Sequence, residues 1–283
     1  MLTTLVSTAQ LAESLTAWAV IDCRFDLKDE SAGFEAYMAS HIPGAVYASL
    51  AADLSSLSTG TNGRHPLPSI DAMTDTFATL GIGPETQVVA YDQDSGMYAS
   101  RLWWMLRYLG HDAVAVLDGG ISKWQREQHP VRGGNEVRPR GAFVAHVRKN
   151  WVVTIDEMTS GRAQSALLVD ARSPERFEGR SEPLDRVAGH IPGAVNHFFR
   201  DNVTDDGTMR PAAELRKTFD TLLEGRAPKE VVMYCGSGVT ACQNLLAMEH
   251  AGISGTPLFV GSWSEWSASP ARPVETGPAR RRV

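Results

Sequence analysis

Short apolar runs and longer amphipathic segments alternate along the chain. AWAVIDCR, QVVAYD, ALLVDAR and EVVMYC each contain an apolar run that ends in polar or reactive residues, as buried parallel strands do. SRLWWMLRYLG and TACQNLLAMEHAG repeat apolar residues at helical spacing and end in glycine, which commonly terminates helices. The alternation predicts an α/β fold in which helices cover both faces of a parallel sheet.

The same pattern occurs twice in the chain. Four sequence blocks recur in one order at an offset of roughly 145 residues, a period far above that of solenoid repeats. The matched blocks are HIPGAV at 41–46 and 190–195, DCR at 22–24 and DAR at 170–172, VVAYD at 88–92 and VVMYC at 231–235, and GGISKW at 119–124 and GSWSEW at 261–266. We therefore expect two tandem copies of one domain, each with its own core.

A linker is predicted between the two copies. The stretch HPVRGGNEVRPRG at 129–141 is rich in glycine and arginine and contains two prolines, which is typical of a loop. We expect an N-terminal domain over residues 1–130, a linker over 131–149 and a C-terminal domain over 150–283.

Composition and charge exclude several classes of protein. The chain has 283 residues, of which 43% are hydrophobic and 21% charged, as in an ordinary globular protein of two domains. The net charge is −6, and the only basic run is the short one at 280–282, which argues against nucleic acid or an anionic membrane as partner. The sequence shows neither a signal-peptide pattern nor an apolar stretch of the roughly 20 residues that span a bilayer.

Three cysteines are present, Cys23, Cys235 and Cys242. Their odd, small number argues against a disulfide framework and for a reducing, cytoplasmic compartment, and their spacing matches no zinc site. Cys242 follows Cys235 by about two helical turns. This spacing predicts a packed helix cysteine, and a role in resolving an oxidised Cys235 is the alternative.

Cys235 is predicted to lie where a ligand site is expected. It directly follows the apolar run VVMY, and ligands of parallel α/β sheets bind at the carboxyl ends of the strands. We expect Gly236 and Gly238 to take positive φ angles and to bring backbone N–H groups toward a bound anion. With Val239 and Thr240 at the start of the next helix, this loop should favour a thiolate or a persulfide at Cys235.

The first copy differs at the equivalent position. Asp92 stands in YDQDSG where the second copy has Cys235. A carboxylate cannot accept sulfur as a thiolate does. We therefore expect the first domain to be catalytically silent, while still helping to build the site.

The duplicated blocks and the single loop cysteine resemble the tandem-domain rhodanese family of sulfurtransferases. YMASHIPGAV at 37–46 is similar to one signature of that family and LFVGSWSEW at 258–266 to its C-terminal one, and the resemblance covers nearly the whole chain. It implies that Cys235 carries sulfur as a persulfide from a small-molecule donor to a thiol or to cyanide. It also implies no metal or organic cofactor, and thioredoxin is one candidate acceptor.

The loop CGSGVT resembles the branch of the family that uses 3-mercaptopyruvate and releases pyruvate. Members that prefer thiosulfate usually carry basic residues after the cysteine, which stabilise the dianion and the departing sulfite. A neutral loop suits a keto acid whose leaving enolate needs a proton. Thiosulfate is the alternative donor.

The resemblance further implies a proton relay. Ser237 matches a serine two residues after the nucleophile, His65 in GRHPLP matches its histidine, and Asp53 in AADLS matches its aspartate. Such a relay delivers a proton to the leaving group or polarises the donor carbonyl.

Two arginines are implied as the binding site of the donor carboxylate. In this sequence, Arg176 and Arg186 match those two arginines. A guanidinium suits this role because it binds a carboxylate through two parallel hydrogen bonds. The match at Arg186 requires a shift of one residue, and Arg180 is the competing candidate.

Two other classes of protein are alternatives. A Cys-dependent phosphatase needs an arginine that closes the loop around phosphate, and this sequence has Thr240 at that position. A rhodanese-like module that carries sulfur or binds a partner without catalysis is the non-enzymatic alternative. The intact nucleophile loop and the candidate relay argue against it.

Overall fold

The chain forms two compact units in the computed structural model, which describes residues 1–279; the arginines at 280–282 lie outside the described residues. The first unit consists of Met1–Ser56, Pro68–Arg148 and Val203–Met209. The second consists of Leu57–Leu67, Lys149–Asn202 and the chain from Arg210 onward. Leu57–Leu67 therefore belongs to the second unit although it lies in the first half of the sequence.

The first unit contains a five-stranded parallel sheet with the strand order β1-β5-β4-β2-β3. Its elements are β1 (Leu5–Val6), α1 (Thr8–Ser14), β2 (Ala19–Asp22), α2 (Ala32–Ala39), β3 (Val46–Tyr47), α3 (Ile70–Thr79), β4 (Val88–Tyr91), α4 (Ala99–Tyr108), β5 (Val114–Leu117) and α5 (Gly120–Arg126).

The second unit repeats this topology with the strand order β6-β10-β9-β7-β8, again all parallel. Its elements are β6 (Val152–Val153), α6 (Ile155–Glu157), a π-helical turn (Met158–Arg162), α7 (Ala163–Ser165), β7 (Leu167–Asp170), α8 (Pro174–Phe177), β8 (Val195–Asn196), a 3-10 turn (Phe199–Asn202), α9 (Ala212–Leu223), a 3-10 turn (Pro228–Glu230), β9 (Val231–Tyr234), α10 (Thr240–His250), β10 (Leu258–Phe259) and α11 (Ser262–Trp266). The predicted fold, two tandem copies of an α/β domain, is confirmed.

The apolar runs of the sequence form the buried strands of each sheet. Every residue of β4 and of β9 is buried, because each of these strands has a neighbouring strand on both sides and packing on both faces. Each unit has its own apolar cluster around its sheet, and Trp263 and Trp266 of α11 belong to the cluster of the second unit. Separate cores explain how a duplicated domain keeps its fold in each copy.

An ion pair at the end of a strand supports each sheet in the same way. Arg24 donates to both carboxylate oxygens of Asp22, and Arg172 donates to both oxygens of Asp170. The pairs lie at equivalent positions of the two copies and are buried. Buried charges need such paired hydrogen bonds, so these residues are structural.

The histidines of the two HIPGAV blocks are also structural. A ring nitrogen of His41 lies 2.8 Å from the Tyr37 carbonyl oxygen, and that of His190 lies 2.7 Å from the Phe177 carbonyl oxygen. Both imidazoles are fully buried, and each stacks on the ring of the residue whose carbonyl it contacts. These contacts fix the loop before β3 and before β8.

The stretch that the sequence predicts as a linker runs along the first unit. Backbone hydrogen bonds join it there at several points: Arg132 with His41, Gly134 with Met38, Gly141 with Ala78, and His146 with Leu109. Among the helices of residues 1–279, none combines the length and the apolar character needed to cross a membrane.

Candidate active site

Cys235 lies at the carboxyl end of β9, the central strand of the second sheet. Its backbone N–H donates to Ser262 Oγ at 3.1 Å, and its carbonyl accepts from the Trp263 N–H at 2.9 Å. The residue is 1% exposed. The start of α11 therefore fixes the backbone at Cys235, in the place where parallel sheets hold their ligands.

The two glycines after Cys235 have different conformations. Gly238 has a φ of 74°, as expected, which a residue with a side chain rarely adopts. Gly236 does not have a positive φ, so that expectation was wrong. A Cβ atom at Gly236 would lie 3.0 Å from Arg64 Nη2 and 3.4 Å from Arg176 Nη2. The lack of a side chain at Gly236 lets two guanidinium groups approach the loop closely.

Helix α10 begins at Thr240, directly after the loop, with Val239 as its N-cap. The helix is 11 residues long, and its first turn carries the positive end of the helix dipole. The dipole favours negative charge in the loop that precedes the helix. This arrangement supports a thiolate or a persulfide anion better than a neutral thiol.

Ser237 and His65 contact each other although 172 residues separate them. Ser237 Oγ lies 2.8 Å from His65 Nδ1, and the two residues are 6% and 7% exposed. His65 reaches this place because Leu57–Leu67 belongs to the second unit. A buried hydroxyl–imidazole pair two residues from a cysteine can hold and deliver a proton.

Asp53, the third residue of the predicted relay, belongs to the first unit. Its carboxylate accepts the backbone N–H of Ser49 at 2.7 Å. Burial raises the pKa of the Asp53 carboxyl, and the Ser49 hydrogen bond lowers it by less. The part of Asp53 in a relay remains a prediction.

Arg176 is held by the carboxylate of Glu182. Its Nε lies 3.1 Å from both oxygens of Glu182, and its Nη2 lies 2.7 Å from Oε1. Glu182 also accepts from Arg172 at 3.1 Å and from the backbone N–H groups of Leu184 and Asp185. The planar fork of Arg176 is thereby fixed beside the Cys235 loop.

Asp185 bridges the two guanidiniums that lie against Gly236. One carboxylate oxygen is 2.6 Å from Arg64 Nη1, and the other is 3.1 Å from Arg176 Nη2. The Asp185 side chain is 6% exposed. Burial raises the pKa of its carboxyl, and the charges of Arg64 and Arg176 act against that rise.

Arg186 and Arg180 are both exposed. Arg186 lines a pocket of about 400 Å³ together with Arg64, Asp185 and Ser264. Arg180 pairs instead with Glu178 at 2.6 Å. Of the three arginines considered from the sequence, only Arg176 is seen against the loop.

Arg64 was not singled out from the sequence. It stands directly before His65 in GRHPLP. That position, next to a candidate relay residue, is the sequence feature from which a place near the site could have been predicted. Its backbone N–H donates to Ser264 Oγ at 3.0 Å, and the Ser264 N–H donates to the Gly236 carbonyl at 2.9 Å. This chain of contacts fixes Arg64 beside the nucleophile loop.

All three cysteines are buried thiols that take part in no disulfide within residues 1–279. Cys242 lies in α10, and its sulfur is 3.3 Å from the Gly238 carbonyl oxygen. Burial raises the pKa of the Cys23 thiol, and nearby carboxylates, of which Asp22 acts most, raise it further. A thiol held in its neutral form is a poor nucleophile, so Cys23 is a poor candidate for the sulfur carrier.

The equivalent loop of the first unit binds its own side chain. The carboxylate of Asp92 accepts backbone N–H groups from Gly96 at 3.0 Å, Tyr98 at 2.7 Å and Ala99 at 3.1 Å. Asp92 is 2% exposed, and burial raises the pKa of its carboxyl.

In residues 1–279, no group of three or more His, Cys, Asp or Glu side chains is arranged to hold a metal ion.

A family model described as "Rhodanese-like domain" matches the chain twice, over residues 7–127 and 154–269. The two matches cover most of the chain and contain four of the five strands of each sheet, β2 to β5 and β7 to β10. The chain therefore belongs to the rhodanese-like family.

Individual relatives match nearly from end to end. A Pseudomonas aeruginosa protein provisionally named as a 3-mercaptopyruvate sulfurtransferase is 42% identical, over 96% of this chain and 98% of the relative. The Mycobacterium tuberculosis protein SseB, provisionally named as a thiosulfate sulfurtransferase, is 38% identical, over 97% of this chain and 98% of the relative.

Solved structures show the same similarity. The 3-mercaptopyruvate sulfurtransferase from Leishmania major matches with a TM-score of 0.83 and 30% identity, over 94% of this chain and 74% of that one. SseA from Escherichia coli, which represents the 3-mercaptopyruvate sulfurtransferases, matches with a TM-score of 0.76 and 31% identity, over 93% of this chain and 99% of that one.

Proposed function

We propose that this chain moves sulfur from 3-mercaptopyruvate to a thiol acceptor through a persulfide at Cys235. The observation that carries this proposal is the buried 2.8 Å contact between Ser237 and His65, two residues from the cysteine. The names of the P. aeruginosa, L. major and E. coli proteins support the choice of donor. The reaction is a sulfur transfer by covalent nucleophilic catalysis.

The first half-reaction forms an S–S bond and breaks a C–S bond. The Cys235 thiolate attacks the donor sulfur, and the electron pair of the C–S bond passes to carbon as the enolate of pyruvate. The enolate then takes up a proton. Ser237 and His65 supply that proton, with Asp53 as the proposed third member of the relay.

Backbone and guanidinium groups hold the two anions of this step. The N–H groups of the loop formed by Gly236, Gly238, Val239 and Thr240 stabilise the thiolate and then the persulfide. Arg176 binds the donor carboxylate by charge-assisted hydrogen bonds. Arg186, on the wall of the adjoining pocket, is proposed to guide the donor toward it.

The second half-reaction regenerates the thiolate. A second thiol, either a small molecule or thioredoxin, attacks the outer sulfur and leaves as its own persulfide; cyanide serves in an assay. Each step balances without a metal or an organic cofactor. Three cysteines outside disulfides suit a reducing compartment, and a cytoplasmic location remains a prediction.

Only the second of the two domains is proposed to be catalytic. Domain 150–283 carries the sulfur, and domain 1–130, followed by the linker 131–149, is catalytically silent because Asp92 takes the place of the nucleophile. The hydrogen bonds that hold the Asp92 carboxylate support this assignment.

Thiosulfate is the second candidate donor, with sulfite as the leaving group. The name of SseB from M. tuberculosis favours it, as do the two guanidiniums against Gly236, which suit a dianion. A cysteine persulfide is the intermediate with either donor.

Steady-state rates with the two donors side by side test the proposal. We expect kcat/KM for 3-mercaptopyruvate to exceed that for thiosulfate at least about tenfold, a difference of ~1.4 kcal/mol in the activation barrier. Intact-mass analysis after donor treatment should find one added sulfur, located on Cys235. Thiosulfate as the better donor, or sulfur on another residue, would contradict the proposal.

A further inference from the structure

We infer that Asp185 sets the donor preference by holding the anion position between Arg64 and Arg176. The inference rests on the proposed function, because it concerns the donor site of the same reaction. It adds two residues, Arg64 and Asp185, that the family resemblance did not supply.

The geometry is that of one carboxylate shared by two guanidiniums. Each oxygen of Asp185 faces a different arginine, at 2.6 Å from Arg64 Nη1 and 3.1 Å from Arg176 Nη2. Both arginines also have a nitrogen within 3.5 Å of the place where a Gly236 Cβ would lie. The side chain of Asp185 therefore makes the contacts that a donor carboxylate beside the nucleophile loop would make.

Of the two acidic residues in this network, Asp185 is the one that a donor can displace. Glu182 receives hydrogen bonds from Arg172, from Arg176 and from two backbone N–H groups. Asp185 receives one from each of Arg64 and Arg176. Fewer hydrogen bonds must be replaced when Asp185 gives way.

A small anion can approach this contact. Arg64, whose side chain is 26% exposed, and Asp185 both line the pocket of about 400 Å³, together with Leu184 and Arg186. Glu182 does not line it. The anion would meet the Arg64–Asp185 pair from the solvent side.

The charges explain how Asp185 selects among donors. The network contains three guanidiniums and three carboxylates, so it is neutral overall. Its members are Arg64, Arg172, Arg176, Asp170, Glu182 and Asp185. A monoanion can exchange for the Asp185 carboxylate without adding excess charge between the guanidiniums. A dianion brings a second charge into a site that already holds acidic side chains, and this favours 3-mercaptopyruvate over thiosulfate.

The test compares Asp185→Asn with Asp220→Asn. Asp220 lies on α9 in an exposed pair with Arg216, so it offers the same chemical change away from the site. We expect Asp185→Asn to raise kcat/KM for thiosulfate about tenfold, mainly through KM, and to change that for 3-mercaptopyruvate by less than about threefold. Asp220→Asn should leave the ratio of the two unchanged.

A binding measurement checks the inference without turnover. In the Cys235→Ser background, calorimetry with sulfate and with pyruvate compares a dianion with a monoanion. Asp185→Asn should tighten sulfate binding about tenfold and pyruvate binding by less. Arg64→Met should weaken both.

The outcomes separate the inference from the proposed function. If the wild type takes no sulfur from either donor, the proposed function fails, while sulfate binding still tests Asp185. If sulfur transfer occurs but Asp185→Asn leaves both the donor ratio and sulfate binding unchanged, the inference is overturned. A lower preference for the dianion in Asp185→Asn would overturn it as well.

Discussion

The loop after β4 and the loop after β9 occupy the same place in two copies of one sheet, and they hold different groups. In the first unit, the Asp92 carboxylate accepts hydrogen bonds from three backbone N–H groups. In the second, Cys235 stands at that position, and Ser237 contacts His65. The same strand, loop and helix thus support an internal carboxylate in one copy and a nucleophile in the other.

The strands that precede these loops make the same tyrosine hydrogen bond in both units. The hydroxyl of Tyr91 accepts the Ile42 N–H at 3.3 Å, and the hydroxyl of Tyr234 accepts the Ile191 N–H at the same distance. The comparison shows that the sheet provides a place for negative charge, whereas a few loop residues decide the chemistry performed there.

The largest effect should come from Cys235→Ser, which removes the proposed sulfur carrier. We expect turnover to fall by more than about a thousandfold with either donor, because a hydroxyl forms no persulfide. Cys23→Ser and Cys242→Ser are the controls and should keep most of the activity. Adding Asp92→Cys to Cys235→Ser should not restore turnover; recovered activity would break the contrast between the two loops.

Asp92→Ala should destabilise the first unit rather than impair sulfur loading. Three buried N–H groups would lose their acceptor, partly offset by relief of a buried carboxylate, so we expect a loss of about 2 kcal/mol in urea unfolding. Burial raises the Asp92 pKa above its unfolded value, so the folded state binds the proton more tightly and the stabilisation by Asp92 declines as pH rises through that range. The deficit of the variant should be larger near pH 4, close to the ordinary carboxyl pKa, than near pH 8.

Sulfur loading on Cys235, followed by intact mass, is the control for this variant. An unchanged midpoint of unfolding would show that the carboxylate does not stabilise the first loop. Loss of loading in a folded Asp92→Ala protein would show that the first copy is not silent.

Arg176→Met should reduce kcat/KM for 3-mercaptopyruvate by about tenfold to a hundredfold, since one charge-assisted hydrogen bond contributes roughly 1.5–3 kcal/mol. Arg180→Met is the matched control, because Arg180 pairs with Glu178 at the surface. Arg186→Met should have a smaller effect than Arg176→Met, given its exposure. A larger loss of kcat/KM in Arg186→Met than in Arg176→Met would mean that Arg186 is the main ligand of the donor carboxylate.

Ser237→Ala should give the smallest of these effects and the most informative one. The 3-mercaptopyruvate rate should fall about tenfold and the thiosulfate rate by less, because only the enolate needs a proton on leaving. Rates with both donors, measured over pH, check this. Equal losses with the two donors would mean that the contact between Ser237 and His65 supports the loop rather than a proton transfer.

The fold and the place of the nucleophile could be predicted from the amino-acid sequence. Apolar runs such as VVMY form buried strands wherever helices cover them, and the repeated blocks specified two copies. Since a strand followed by a glycine-containing loop and a helix is a local feature, Cys235 could be placed at the strand end without any tertiary contact.

The charges that surround Cys235 could be identified only from the folded chain. Arg64 is 121 residues from Asp185, and no local pattern relates them. The loop itself carries no charged side chain, yet guanidinium nitrogens of Arg64 and Arg176 lie 3.0 Å and 3.4 Å from the place where a Gly236 Cβ would lie. Secondary structure follows from short-range periodicity, whereas the electrostatics of a site depends on side chains brought together from distant segments by the folding of the whole unit.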